Sequence, residues 1–323
     1  FFSSGEGDGM KLALVFPGQG SQAMGMMQGF VDSQVVRDTF ANASAALGQD
    51  LWQLVETGPA EELNATVNTQ PVMLTAAYAM YRAWQEAGGP VPAMVAGHSL
   101  GEYTALVAAG AMAFADAVPL VRFRAQAMQE AVPRGTGAMA AILGLDAEAV
   151  RAACAEAAQG EVVEPVNFNA PNQVVIAGHK AAVERGAAAA KARGAKRAVM
   201  LPVSAPFHSS LLKPAADRLR IRMQDVPLVS PQIAVVNNVD VAVLNDPVQI
   251  KDALARQACN PVRWVETVQA FAAQGVTHVV ECGPGKVLAG LSKRIADGLQ
   301  GYAVTDAASL NQTLEALRLE ALR

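Results

Sequence analysis

The chain has 323 residues, 52% of them hydrophobic and only 17% charged, which supplies a sizeable core for one large domain or for a large domain carrying a smaller one. A net charge of −4 lacks the basic balance that phosphate-backbone binding demands, so no nucleic-acid partner is expected. Three scattered cysteines, Cys154, Cys259 and Cys282, form neither a disulfide framework nor a metal-ligand spacing, which points to a reducing, cytoplasmic setting without a bound metal.

Residues 1–9 carry acidic groups and no apolar core, unlike a signal peptide, and read as a cloning scar ahead of a native start at Met10. No run is long and apolar enough to span a membrane, since the most apolar stretch, from Tyr103 to Val121, is interrupted by Asp116 and Pro119. Lys11 to Phe16 reads as an apolar strand that runs into the glycine-rich turn Pro17-Gly18-Gln19-Gly20. A broken helix is expected from Gly25 to Leu47. Thr69-Gln70-Pro71 then opens a second helix, apolar almost all round and therefore buried. Gly88-Gly89-Pro90 stops it.

The following stretch, Val91 to Tyr103, holds the first chemical signal. A short apolar strand, Ala93 to Ala96, breaks at Gly97-His98-Ser99-Leu100-Gly101, and a helix follows. This G-x-S-x-G order places a serine on a sharp strand-to-helix turn with its hydroxyl exposed. A serine N-cap between two coincidental glycines would look the same over five residues. The next helix is expected to start near Asp116 as N-cap, with Pro119 in its first turn. Its apolar stripe of Ala117, Leu120, Val121, Ala125 and Met128 includes Arg124. An inward arginine either meets a carboxylate or phosphate, or snorkels to the helix edge.

Between residues 136 and 202 the order becomes β-α-β-β-α-β, which predicts an inserted ferredoxin-like small domain. Residues 10–135 and 203–323 form the large domain, whose alternating strands and helices predict a mostly parallel sheet in an α/β-hydrolase-like arrangement. After the insertion come the proline-punctuated loop Leu201 to Ser210, a helix from Leu211, and a strand within Pro231 to Asn237. Further helices are expected from Val248 and from Asn260-Pro261, then the strand Thr277 to Glu281 and a helix after Gly283-Pro-Gly-Lys286.

A serine at such a turn needs a base. Of the four histidines, His98 is adjacent in the turn, His179 ends a hairpin, and His278 sits inside a strand. His208, in the loop that returns to the large domain, is the preferred candidate. No acidic residue stands at the end of a large-domain strand before it, as a hydrolase triad would require. A histidine can instead be oriented through Nδ1–H by a backbone carbonyl, which makes a Ser–His dyad.

Phe16-Pro-Gly-Gln-Gly-Ser-Gln22, Gly97-His-Ser-Leu-Gly-Glu-Tyr103, Arg124 with Met128-Gln-Glu130, Pro206-Phe-His208, Val236-Asn-Asn238, Gln257 with Asn260-Pro261, and Gly283-Pro-Gly-Lys286 together resemble the malonyl-CoA:acyl carrier protein transacylases of bacterial fatty-acid synthesis. The resemblance runs from about Leu12 to Ala296. It implies Ser99 as nucleophile, His208 as general base and acid, and the Gln257 main-chain carbonyl as the group that orients the imidazole. It implies an oxyanion hole from the N–H groups of Gln19 and Leu100, and Arg124 as a two-pronged carboxylate binder. Malonyl-CoA and acyl carrier protein would be the partners of a monomer without a resident cofactor, since coenzyme A and phosphopantetheine enter as parts of the substrates. By analogy with related polyketide acyltransferases, Phe207 beside His208 goes with malonyl rather than methylmalonyl. Gln70, His98, Asn167 and Asn238 are further candidate lining residues.

The basic runs Lys191 to Arg197 and Lys286 with Lys293 and Arg294 are either docking surface for an acidic carrier or solvated helix ends. Three other readings compete. An acyl hydrolase would use Ser99 and His208 with a buried acid and would not need Arg124. A non-catalytic carrier-protein scaffold would use Ser99 only as a cap. An acyltransferase domain cut from a large synthase would share the motifs, but an amphipathic helix from Leu310 to Arg323 soon after the last motif favours a stand-alone protein.

Overall fold

The computed structural model describes residues 9–323, so the expected scar lies, apart from Gly9, outside them. Nine strands are described, in chain order β1 (Leu12–Phe16), β2 (Met94–Gly97), β3 (Gly137–Leu143), β4 (Val163–Ala170), β5 (Gln173–His179), β6 (Arg197–Met200), β7 (Ala234–Val235), β8 (His278–Cys282) and β9 (Gln300–Val304). They form two sheets, one parallel and one antiparallel.

The parallel sheet has the order β7-β2-β1-β8-β9, and every pairing in it is parallel. Its central strands β1, β2 and β8 are buried at every position, as strands covered on both faces must be. Alternation along β1 sends Leu12, Leu14 and Phe16 into one core and Ala13 and Val15 into the other. The first core is closed by the helices Gln34–Leu47, Thr66–Glu86 and Phe114–Glu130. The second is closed by Trp264–Ala273 and Val287–Ile295, through Trp264, Phe271 and Leu291. Each such side chain, fully buried, contributes about 1.5–3 kcal/mol.

The antiparallel sheet has the order β4-β5-β3-β6. Helices Ala147–Ala158 and Lys180–Ala192 cover one of its faces over Ile142, Val174 and Ile176, with Val150 and Val183 turned inward. Met139, Val166 and Val175 of its strands pack instead with Met128, Phe207 and Leu212. Backbone hydrogen bonds from Phe168 N to Val262 O (3.1 Å) and from Val262 N to Val166 O (2.8 Å) add a second seam between the two parts.

Several expected boundaries move. The helix expected to open at Thr69 starts at Thr66, and Pro71 lies inside it. The helix expected at Asp116 starts at Phe114 with Ala113 as N-cap, so Asp116 sits in its first turn and Pro119 lies inside. In both cases the proline is the sixth helical residue, where it removes one N–H bond just beyond the four that a helix start leaves unpaired anyway. Asn260-Pro261 opens no helix, because Val262 is committed to the β4 seam, and the helix starts at Trp264. The helices Leu51–Thr57 and Ala60–Asn64 and the strand β9 had no sequence counterpart; β9 is a half-exposed edge strand without a continuous apolar run.

Candidate active site

The site lies at the carboxyl ends of β1 and β2, where an open parallel sheet leaves a crevice. The chain leaves β2 at Gly97, passes through Ser99, and enters the helix Gly101–Ala108. Close approach dictates both flanking glycines. A Cβ on Gly97 would lie 1.8 Å from Gly101 O, and one on Gly101 would lie 2.2 Å from Phe16 O. Ser99 itself adopts the left-handed region at φ 55° and remains half-buried.

His208 stands in the loop after β6, 2% exposed and also left-handed at φ 68°. Its Nε2 is 2.6 Å from Ser99 Oγ, and its Nδ1 is 2.7 Å from Gln257 O. The carbonyl accepts from Nδ1–H, so Nε2 carries the lone pair that faces the serine hydroxyl. Burial, reinforced by the positive charge of Arg124, lowers the imidazole from 6.5 to about 3. His208 is therefore neutral at physiological pH, the form a general base requires.

Arg124 is the largest charged side chain in the interior, 1% exposed. Its Nη1 donates to Gln70 Oε1 (2.8 Å) and its Nη2 to Gln257 Oε1 (2.8 Å), with Ser99 Oγ at 3.4 Å from the same Nη2. Its Nε has no partner, and no carboxylate pairs with it among the described residues. The snorkelling alternative is thereby excluded. A buried cation held by two neutral amides, a hydroxyl and the Tyr103 ring is a site prepared for an anion.

Gln19 and Leu100 complete the turn region. A Cβ on Gly18 would lie 2.5 Å from His98 O and 3.5 Å from Leu100 N, so the β1 loop lies directly against the elbow. Neither the Gln19 nor the Leu100 N–H has a partner among the hydrogen bonds of the described residues. A groove beside Gln19 is lined by Thr66, Gln129, Arg134 and Ser204. A larger hollow along the helix Gln34–Leu47, lined by Asp32, Arg37 and Trp52, contains none of these residues.

Gln70, Asn238 and Gln257 are thus joined to the Ser99–His208–Arg124 cluster. His98 points away: its Nε2 is 2.7 Å from Asn169 Oδ1 and its ring lies 5.5 Å from Trp264. Asn167 makes no hydrogen bond to the cluster, and its buried Oδ1 is unpartnered. Phe207 is packed in the apolar cluster with Met128 and Met139, one residue from the imidazole.

Three contributions escaped sequence reading. The Gln257 side chain donates to Ser99 O (2.9 Å) besides accepting from Arg124. Asn169 anchors His98. Glu102 is 2% exposed and accepts from Asn238 N at 2.7 Å, and burial pushes its carboxyl up to about 7. A signal for Glu102 existed: it is a carboxylate in a helix otherwise lined by Gly101, Tyr103, Ala105 and Leu106.

A half-buried serine on a strand-turn-helix elbow, faced by a neutral imidazole, is equipped to form and break acyl esters. An acyl transferase domain family matches residues 13–312. The malonyl CoA-acyl carrier protein transacylase of Escherichia coli (strain K12) is 58% identical over 94% of this chain and 99% of the relative. The solved acyl-carrier-protein S-malonyltransferase from Burkholderia pseudomallei is 68% identical, covers 95% of this chain and 100% of its own, and superposes with a TM-score of 0.93. A malonyl-transacylase solved in complex with its type II PKS acyl-carrier protein is 55% identical over 95% of this chain and 99% of its own, with a TM-score of 0.93. The chain belongs to the acyl transferase family and, within it, to the malonyl CoA-acyl carrier protein transacylases. It is an acyltransferase.

Proposed function

We propose that the protein moves a malonyl group from malonyl-CoA to the phosphopantetheine thiol of an acyl carrier protein through a malonyl ester on Ser99. The observation that carries this reading is the buried Arg124, without a carboxylate partner, within 3.4 Å of the Ser99 hydroxyl. A free carboxylate on the acyl group supplies the missing anion, and a guanidinium fork holds it in one orientation.

In the first half-reaction His208 takes the Ser99 proton as Oγ attacks the thioester carbon. The Gln19 and Leu100 N–H groups meet the oxygen as it becomes negative. The carbon–sulfur bond breaks, coenzyme A leaves, and its sulfur receives the proton from His208. In the second half-reaction His208 removes the proton of the incoming thiol, whose sulfur attacks the ester, and the proton returns to Ser99 Oγ as that bond breaks. Gln257 O holds the imidazole throughout, in place of a triad acid. The groove beside Gln19 suits the extended pantetheine arm. No resident cofactor enters these steps, and we read the protein as a monomer.

Phe207, packed beside His208, limits the room next to the acyl group and favours malonyl over methylmalonyl. The three cysteines are unpaired, in keeping with a cytoplasmic protein, and no helix among the described residues is long and apolar enough to cross a membrane. We read residues 10–135 and 203–323 as the large domain, α/β-hydrolase-like in carrying its nucleophile on a strand-turn-helix elbow, and residues 136–202 as a ferredoxin-like insert, which the order β4-β5-β3-β6 supports.

Arg124→Ala tests the reading. The loss of a buried charged partner costs about 2–5 kcal/mol, so kcat/KM for malonyl-CoA should fall by at least about thirtyfold, while an uncharged acyl-CoA should lose far less. Equal losses for both acyl groups would remove the carboxylate argument and restore the hydrolase alternative.

A further inference from the structure

A left-handed backbone is costly for any residue but glycine, and it persists only where the surroundings enforce it. Ser99 occupies that region, in the turn on which its hydroxyl depends. We propose that Asn238 and Glu102 form a buried brace that enforces this conformation, and that both are positioning residues for the nucleophile. The proposal rests on Ser99 being the nucleophile, and not on malonyl being its substrate.

The brace is a closed ring of hydrogen bonds. Ser99 N donates to Asn238 Oδ1 at 2.8 Å, and Asn238 Nδ2 donates to Gly97 O at 2.7 Å. One amide therefore grips the chain at the elbow serine and at the end of β2. Asn238 N in turn donates to Glu102 Oε1 at 2.7 Å, and Glu102 N donates to Ser99 O at 3.1 Å. Asn238 is 0% exposed and Glu102 2%, so water cannot replace either partner. The amide offers the acceptor and the donor side by side without carrying charge. Without it, Ser99 N–H and Gly97 O would be left unpaired beside the reacting hydroxyl.

The ring is itself anchored. Arg256 grips both oxygens of Asp240, two residues beyond Asn238, at 2.9 and 2.7 Å. Arg263 N donates to Asn238 O at 3.2 Å. Arg256 belongs to the helix Pro247–Gln257, whose last residue orients His208 through its carbonyl. Gln257 Nε2 also reaches Ser99 O at 2.9 Å and Asn238 Oδ1 at 3.3 Å. The same elements that hold the serine thus hold its base, and the Ser99–His208 separation is set by both.

The test is the rate at which Ser99 is modified by a small fluorophosphonate, followed by intact mass, in the wild type, Asn238→Asp, Glu102→Met and Glu102→Gln. Ionised aspartate keeps the acceptor for Ser99 N but turns the Gly97 donor into a second acceptor, so its rate is compared at alkaline pH, where a protonated acid no longer restores that donor. Methionine removes the acceptor for Asn238 N, and glutamine keeps it. Asn238→Asp and Glu102→Met should label at least about tenfold more slowly, and Glu102→Gln should recover to within about threefold of the wild type. Circular dichroism and thermal melting confirm that each compared variant is folded at the assay temperature. Wild-type labelling rates in Asn238→Asp and Glu102→Met would overturn the brace, as would a Glu102→Gln variant as slow as Glu102→Met. Should Asn238→Asp fail to fold, the two Glu102 variants decide alone. Ser99 labelling without a malonyl adduct in the wild type would remove the malonyl reading and leave the brace to be judged on its own rates.

Discussion

At the level of single residues, the decisive property of the site is that its base is kept uncharged and its cation is kept unpaired. Burial and the Arg124 charge hold His208 down at about 3, and the ordinary value is 6.5. A base with a depressed pKa is lost only when the pH falls through the depressed value. Acylation of Ser99 should therefore show no His208 limb above about pH 5. Glu102, pushed up to about 7 by burial, is the group that titrates near neutrality, and Glu102→Gln should abolish any limb found there. An acid limb near 6.5 that survives Glu102→Gln would contradict the depressed pKa of His208 and point to an imidazole at its ordinary value. Sequence reading reached Ser99, His208 and Arg124 because each is anomalous locally: a serine between glycines, a histidine among prolines, an arginine on an apolar stripe. It assigned no roles to Gln70 and Asn238, and none to the Gln257 side chain. Their partners lie far away in sequence, and an amide carries no charge to make its burial conspicuous.

Among the elements, the central parallel strands β1, β2 and β8 and the helix after the elbow were legible because their apolar runs are continuous and glycine or proline ends them. Pro71 and Pro119 misplaced two helix starts, since a proline near an N-terminus does not say which turn it occupies. The edge strand β9 stayed hidden because half of its surface faces water. The glycines of the elbow carry the strongest stability prediction. Gly101→Ala would place a Cβ 2.2 Å from Phe16 O, and a main-chain atom in the central strand cannot yield as a side chain can. Overpacking of this kind costs about 1–3 kcal/mol, occasionally more. Denaturant unfolding of Gly101→Ala should show a loss of at least about 2 kcal/mol, with Ser99 acylation impaired even in the folded fraction. An unchanged midpoint would mean that the helix can lift off β1 at little cost.

At the scale of the whole molecule, the two sheets divide the work. The parallel sheet presents Ser99 and the proposed oxyanion donors Gln19 and Leu100, and the antiparallel sheet packs against Phe207 and the helix that carries Arg124. Of the basic residues considered for carrier docking, Arg193 is paired with Glu156, and Arg294 binds Asn172 and Gln173. Lys196 and Arg197 are exposed and form no salt bridge among the described residues. Reversing their charge with Lys196→Glu and Arg197→Glu should raise KM for an acidic carrier protein severalfold, more so at low ionic strength, and leave KM for malonyl-CoA unchanged. Equal effects on both substrates would place docking elsewhere.

The account depends most on a malonyl ester forming at Ser99. Intact-mass measurement after brief exposure of the purified protein to malonyl-CoA, without carrier protein, addresses it directly. The wild type should gain a single malonyl group, which disappears when carrier protein with a free phosphopantetheine thiol is added, and Ser99→Ala should gain none. An unmodified wild type that nonetheless transfers malonyl, or an adduct that persists in Ser99→Ala, would contradict it.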